Sequence, residues 1–387
     1  MEAFFVVDLE LVRLKFSNMW DAFELCYAAP RVEVEGVERG DAIEFEVSLP
    51  LNLLNHVLVL AGVNYTYGFY LDLAKGVSLH LLAELSSSGL REAWWNLAAS
   101  ILASDLNTAE DLFDAIDEFA AFLHDGVKPC KLRLWTSEEA FRKLSEAYPE
   151  AGSWDSLLAD LRNKLSRGTL GLLRRALEEC YNSFYAEYWE VRREVLHEIS
   201  CRLKKAVDVL QPLKKLEEML GIELRCKPLR AFPVDVFRLG RGIYGVEPNR
   251  IVCTSDRRSP LSIHLDVAHE VTHILVGDWK LELADDVREL AGALKVRKSL
   301  ELARVLEEHV AALMQLKVDE AYIGKRRVTH GYMENETFRV AEEVWDRSRR
   351  ELGASWTFRE FMKELIEELK KSRKAARELA ELAKGRS

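Results

Sequence analysis

His269-Glu270-Val271-Thr272-His273 is the one short segment of this chain whose residue types and spacing suit a defined chemistry. Residues four apart lie about 40° apart around a helix axis, so both imidazoles project from one face and can grip one cation. Glu270 stands too near His269 in sequence to share that coordination. It is placed instead to take a proton from a metal-bound water. The chemistry expected is therefore metal-assisted hydrolysis, with zinc as the ion.

A catalytic zinc takes three protein ligands and leaves one position to water. The expected helix from Ser299 to Val318 offers Glu307, Glu308 and His309. Glu307 lies nearer the apolar stripe of Leu300, Ala303, Met314 and Val318. Glu308 has Ala311 and Ala312 at i+3 and i+4, and small residues let a ligand helix come close to the metal helix. Glu308 is the preferred third ligand. Glu307 remains an alternative, as do His309 (an all-histidine site) and Asp278, Asp285 or Asp286 shortly after the motif.

The motif needs a helix to hold it, and the surrounding pattern supplies one. The segment opens after Pro260, stops at Gly277 and carries Ile263, Leu265, Val267, Ile274 and Leu275, so it is expected to be buried. Ahead of it, prolines and glycines among valines and isoleucines predict short strands over 222–226, 242–246 and 250–254. A turn at Glu247-Pro248-Asn249 joins the last two. Alternation over 31–35 and 42–48 predicts a hairpin. Helical periodicity runs from about Leu51 to Asp125, with Trp94, Trp95, Leu97, Ile101 and Leu102 on its buried faces. Lys131–Trp135 reads as a strand and Ser137 as a helix cap. Trp154–Leu220 reads as helical, broken near Gly168 and Gly171 and at Pro212, and closed by Gly221. The charged amphipathic stretch from Thr357 to Lys384 reads as a solvated or partner-facing helix.

The fold class expected is mainly α (α+β): a helical, bundle-like N-terminal part and a small sheet preceding the metal helix. The divisions are 1–150, 151–220 and 221–387.

His269-Glu270-x-x-His273 with a later Glu308-x-x-Ala311 resembles the gluzincin division of the zinc metallopeptidases, over roughly residues 240–320. The resemblance implies a zincin-like catalytic region, a bound zinc, Glu270 as general base and peptide-bond hydrolysis. Such enzymes add a donor to the developing oxyanion; His330 or Tyr332, in Thr329-His330-Gly331-Tyr332, is the candidate here, with Tyr322 a further one. The sequence departs from named subgroups. It lacks a glycine inside the motif and a third histidine after it. Its Gly-x-Met-Glu-Asn string, Gly331 to Asn335, follows the motif, whereas in related aminopeptidases such a strand precedes it.

Composition bounds the rest. The chain has 387 residues, of which 48% are hydrophobic and 30% charged, which excludes a disordered or collagen-like polymer. Fifty-four basic against 64 acidic residues give a net charge of −10, which argues against tracking nucleic acid or an anionic membrane. No apolar run reaches membrane-spanning length, and the first residues lack a basic segment and a cleavage site, so a cytoplasmic location is expected. The six cysteines form no CxxC pair and are expected to be free, buried thiols. Trp94-Trp95, Lys325-Arg326-Arg327 and Arg257-Arg258 are read as core or solvated features. The expected partner is a peptide substrate, unstructured and intracellular, which the long helical region before the motif would admit while sparing folded proteins.

Overall fold

The computed structural model describes residues 42–64, 77–237, 243–255, 263–323 and 335–385. The first strand, β1 (Ile43–Phe45), leads into α1 (Leu49–Leu60), which Ser48 caps by accepting the Leu51 amide. There follow α2 (Leu79–Ser87), α3 (Leu90–Ala103), α4 (Ala109–Asp125), α5 (Glu138–Ala147), α6 (Trp154–Lys164) and α7 (Arg167–Cys180). A π-helical turn, Tyr181–Tyr185, joins α7 to the long α8 (Ala186–Leu210), and α9 (Pro212–Leu220) ends at Gly221, whose φ is 67°. Serine and threonine hydroxyls cap α1, α4, α5, α6 and α7, with Thr108 of α4 in a reciprocal box with Asp111.

Four strands form one mixed sheet in the order β1-β2-β4-β3, with β2 spanning Leu229–Val234, β3 Tyr244–Val246 and β4 Arg250–Thr254. β1, β2 and β4 run parallel, and β3 lies antiparallel to β4 with Gly245 opposite Ile251. After the sheet come α10 (Ile263–Val276), α11 (Trp279–Glu282), α12 (Ala284–Leu294), α13 (Ser299–Ile323), α14 (Glu336–Leu352), α15 (Phe358–Lys371) and α16 (Arg373–Gly385). The result is mainly α with a small β component, 74% of the described residues being helical. A single hydrophobic cluster runs from α1 to α16 through both faces of the sheet.

Several expectations change. The segment 222–226 is irregular, because the Glu217 carboxylate accepts the Leu224 amide at 2.8 Å in place of a ladder partner. The strand forms later, at β2, and includes Pro233. Proline is tolerated there because β1 pairs only as far as Ala231, so no β1 carbonyl awaits an amide from residue 233. Lys131–Trp135 joins no sheet. Its amides go to side chains: Lys131 and Leu132 to Glu118 at 2.9 and 3.0 Å, Arg133 to Ser104 at 2.8 Å and Trp135 to Ser100 at 3.2 Å.

Of the expected hairpin, 31–35 lies outside the described residues, while Ile43–Phe45 pairs in parallel with β2. Trp94 is half-buried, and Trp95 is exposed with its ring edge-on to Trp135 at 5.1 Å. The C-terminal stretch is two helices, not a solvated face. Phe361, Leu365, Ile366, Leu369, Ala375 and Leu379 are fully buried beneath its charges. The five described cysteines are free, but Cys130, Cys201 and Cys226 are exposed and only Cys180 and Cys253 buried. No helix among the described residues is long and apolar enough to cross a membrane.

Candidate metal centre

α10 lies between the sheet and α13, with Val267, Ala268 and Val271 fully buried. It runs antiparallel to α13: His264 meets Asp319 at 3.0 Å near one end of the contact, and His273 meets Glu307 near the other. Ala311 and Ala312 are fully buried on α13, and their small side chains allow a close approach beside Glu308. His269, His273 and Glu308 each offer one ligand atom, and those atoms all lie within 4.8 Å of one another. The two imidazole Nε2 atoms are 3.4 Å apart, and Glu308 Oε2 is 3.6 Å from His269 Nε2. This is the set preferred from spacing, and it brings together His273 and Glu308, which lie 35 residues apart in the chain.

Glu307 has a different place. It is buried, its Oε1 accepts from His273 Nδ1 at 3.1 Å, and its Oε2 accepts from Lys280 Nζ. Tyr148 in turn donates to the Lys280 carbonyl at 2.7 Å, tying the start of α11 to the end of α5. Burial opposes the charged imidazole of His273, but the hydrogen bond and charge of Glu307, with Glu270 and Glu308, overcome it and push the ring up. Burial likewise opposes the Glu307 anion, and Lys280 and His273 outweigh it and hold the carboxyl down. His273 thus keeps its Nδ1 proton on Glu307, which turns Nε2 towards His269 and Glu308.

Glu270 is buried, and loss of water raises its carboxyl above the usual range, against the pull of His269 and His273 and a hydrogen bond from the Gly245 backbone. β3 rests on α10 at this point. A Cβ on Gly245 would lie 3.4 Å from the Glu270 carbonyl and 3.4 Å from Ile274 Cδ1. β3 is the last strand of the sheet among the described residues, so its outer edge borders the buried carboxylate.

The other candidates are not brought to this centre. His309 is buried on another face of α13, where Nδ1 donates to the Val305 carbonyl at 2.7 Å and Nε2 accepts from Asn335 at 3.0 Å. Asn335 also caps α14, a role its position in the Gly-x-Met-Glu-Asn string did not suggest. Asp278 pairs with Arg225, and Asp285 points into solvent beside Arg288. Asp286 stands on α12, not among the clustered ligands. Tyr322 sits about 21 Å along α13 from Glu308, at 1.5 Å per residue, with its ring edge on His264. His330, Tyr332 and both basic runs lie outside the described residues.

Sequence reasoning missed Glu307 as an orienting group, Lys280 and Gly245. Only the adjacency of Glu307 to Glu308 gave any signal. The chain matches no protein-family model, no curated protein and no solved structure. The donor set itself fits a divalent cation of borderline softness: two imidazole nitrogens, one carboxylate and a second carboxylate behind one imidazole.

Proposed function

We propose that this protein is a zinc-dependent peptidase. The observation that carries the reading is the convergence of His269, His273 and Glu308, with buried Glu270 next to the first histidine and a strand edge beside it. A zinc bound there would supply Lewis acidity to the scissile carbonyl and an acidified water.

The chain's own groups carry the remaining work. His269, His273 and Glu308 hold the ion, and Glu307 fixes the His273 ring. The Glu270 carboxylate takes the proton of the attacking water and delivers it to the leaving amine, a task suited to a buried carboxyl beside the first histidine. The outer edge of β3 offers backbone groups to an extended peptide, which favours unstructured segments over folded ones. His330 or Tyr332 is the proposed donor to the oxyanion, and the proposed setting is intracellular.

The test is elemental analysis of wild type and His269→Ala, beside digestion of a mixed peptide library with Glu270→Gln as control. One zinc per chain, lost in His269→Ala, with cleavage abolished in Glu270→Gln, is the expected result. Zinc without peptide cleavage would direct the search to another hydrolysable bond. Absence of stoichiometric zinc would overturn the reading.

A further inference from the structure

A cavity of about 390 Å³ opens beside the metal helix, between the end of α10, the turn after β3 and the junction of α14 with α15. Ile274, Leu275, Trp279, Trp356 and Phe358 give it apolar walls. It shares two neighbours with the candidate metal centre: Ile274 follows His273 directly, and Glu247 stands two residues beyond Gly245.

The charges at its mouth are unbalanced. Four carboxylates line it, those of Glu223, Glu247, Asp278 and Glu282, against two cations, Arg225 and Arg359. Arg225 is committed to Asp278, and Arg359 lies 3.9 Å from Glu282. Among the described residues no lysine or arginine lies within ion-pair distance of Glu247. Its carboxylate sits instead against the carbonyl end of α10: a Cβ on Gly277 would lie 2.9 Å from Glu247 Oε1 and 3.2 Å from the His273 carbonyl. The C-terminus of a helix carries partial negative charge, so two negative features meet at this spot. Partial loss of water and the neighbouring Asp278 charge raise the Glu247 carboxyl, against the weaker opposing pull of Arg225 and Lys280.

We propose that this cavity receives the side chain of a lysine or arginine in the peptide bound along β3. The apolar stem lies against Ile274 and Trp279, and the cationic head reaches Glu247 and the carbonyl end of α10. Strands advance about 3.3 Å per residue, so two residues separate a peptide unit beside Glu270 from one beside Glu247, roughly 7 Å away. The recognised residue therefore lies within a few positions of the scissile bond. The inference rests on the peptidase reading and adds a substrate class to it.

Acetylated, amidated alanine peptides test it: a pair identical except for a central lysine or norleucine, and a third with a central glutamate. Their binding to zinc-loaded Glu270→Gln protein is measured by calorimetry, and their cleavage is followed with wild type. The lysine peptide is expected to bind about tenfold more tightly. That ratio should fall to within about twofold in Glu270→Gln carrying Glu247→Gln, and should turn towards a glutamate peptide with Glu247→Lys. Equal affinities, or a ratio undiminished by Glu247→Gln, would overturn the pocket while leaving the peptidase reading intact. Lysine-selective binding with no peptide cleaved would sink the peptidase reading and leave the pocket standing. Cleavage at sites unrelated to the lysine would overturn the link between pocket and scissile bond.

Discussion

His273 is held from both sides: its Nδ1 lies 3.1 Å from Glu307 Oε1 while its Nε2 lies 3.4 Å from His269 Nε2. The ring therefore presents one nitrogen to the ligand cluster and gives the other to a buried carboxylate, itself anchored by Lys280. On the proposed reading, neighbouring residues 307 and 308 divide the work, one orienting a ligand and the other serving as one. Glu307→Gln should weaken zinc binding about 10- to 100-fold without abolishing it, read by competition with a chelator of known affinity. An unchanged affinity would mean that the contact is merely structural.

Removing a ligand and removing the base should separate cleanly. His273→Ala and Glu308→Ala should lose stoichiometric zinc. Glu270→Gln should retain it, with peptide cleavage reduced at least 10²- to 10⁴-fold. Metal analysis and a peptide-hydrolysis assay on the same preparations decide the matter.

A side chain at Gly245 would press on the helix that carries Glu270. The nearest atoms, 3.3 to 3.4 Å from an added Cβ, include the Glu270 carbonyl, so a methyl requires small adjustments and a branched side chain larger ones. Gly245→Ala should be tolerated, whereas Gly245→Val should cost about 1–3 kcal/mol in urea unfolding and lower cleavage further. Equal stability of the two variants would show that β3 can lift away from α10.

Stability should fall in mild acid because of His56. This imidazole is enclosed by Phe184, Tyr185 and Tyr188, and burial pushes it from 6.5 down to about 4 against the pull of Asp235. The folded protein then takes up the proton less readily than the unfolded chain. Stability is accordingly lost as pH drops from about 6.5 to about 4, and the loss levels off below, with a ceiling of about 3 kcal/mol. Urea midpoints across this window should slope in wild type and flatten in His56→Leu, whatever the absolute stability of the variant.

Nearby, Asp235 is buried and accepts from both Tyr188 and buried Arg192. Asp235→Ala would strip the guanidinium of this carboxylate, and a broken buried pair of this kind typically costs about 3–5 kcal/mol. Denaturant unfolding at neutral pH measures it. A change below about 1 kcal/mol would mean that water reaches Arg192.

What could be read from sequence was local. Two histidines four apart on an apolar, Gly-free stretch specify one helix face, and Ala311 and Ala312 marked Glu308 as the carboxylate able to come close. The helical class, β4 and the turn before it were equally legible, because periodicity, proline and glycine act over a few residues.

Tertiary structure decided the rest, since it depends on groups distant in the chain. Lys131–Trp135 has strand composition, yet Glu118, Ser100 and Ser104 satisfy its backbone before any strand can. No strand was expected over 229–234, yet β2 forms there and includes Pro233, because β2 outruns β1 at that point and spares the missing amide. Glu307 and Glu308 are chemically alike and adjacent. A turn of about 100° around α13 separates them, and the crossing of α10 determined which one met His269 and which one passed behind His273.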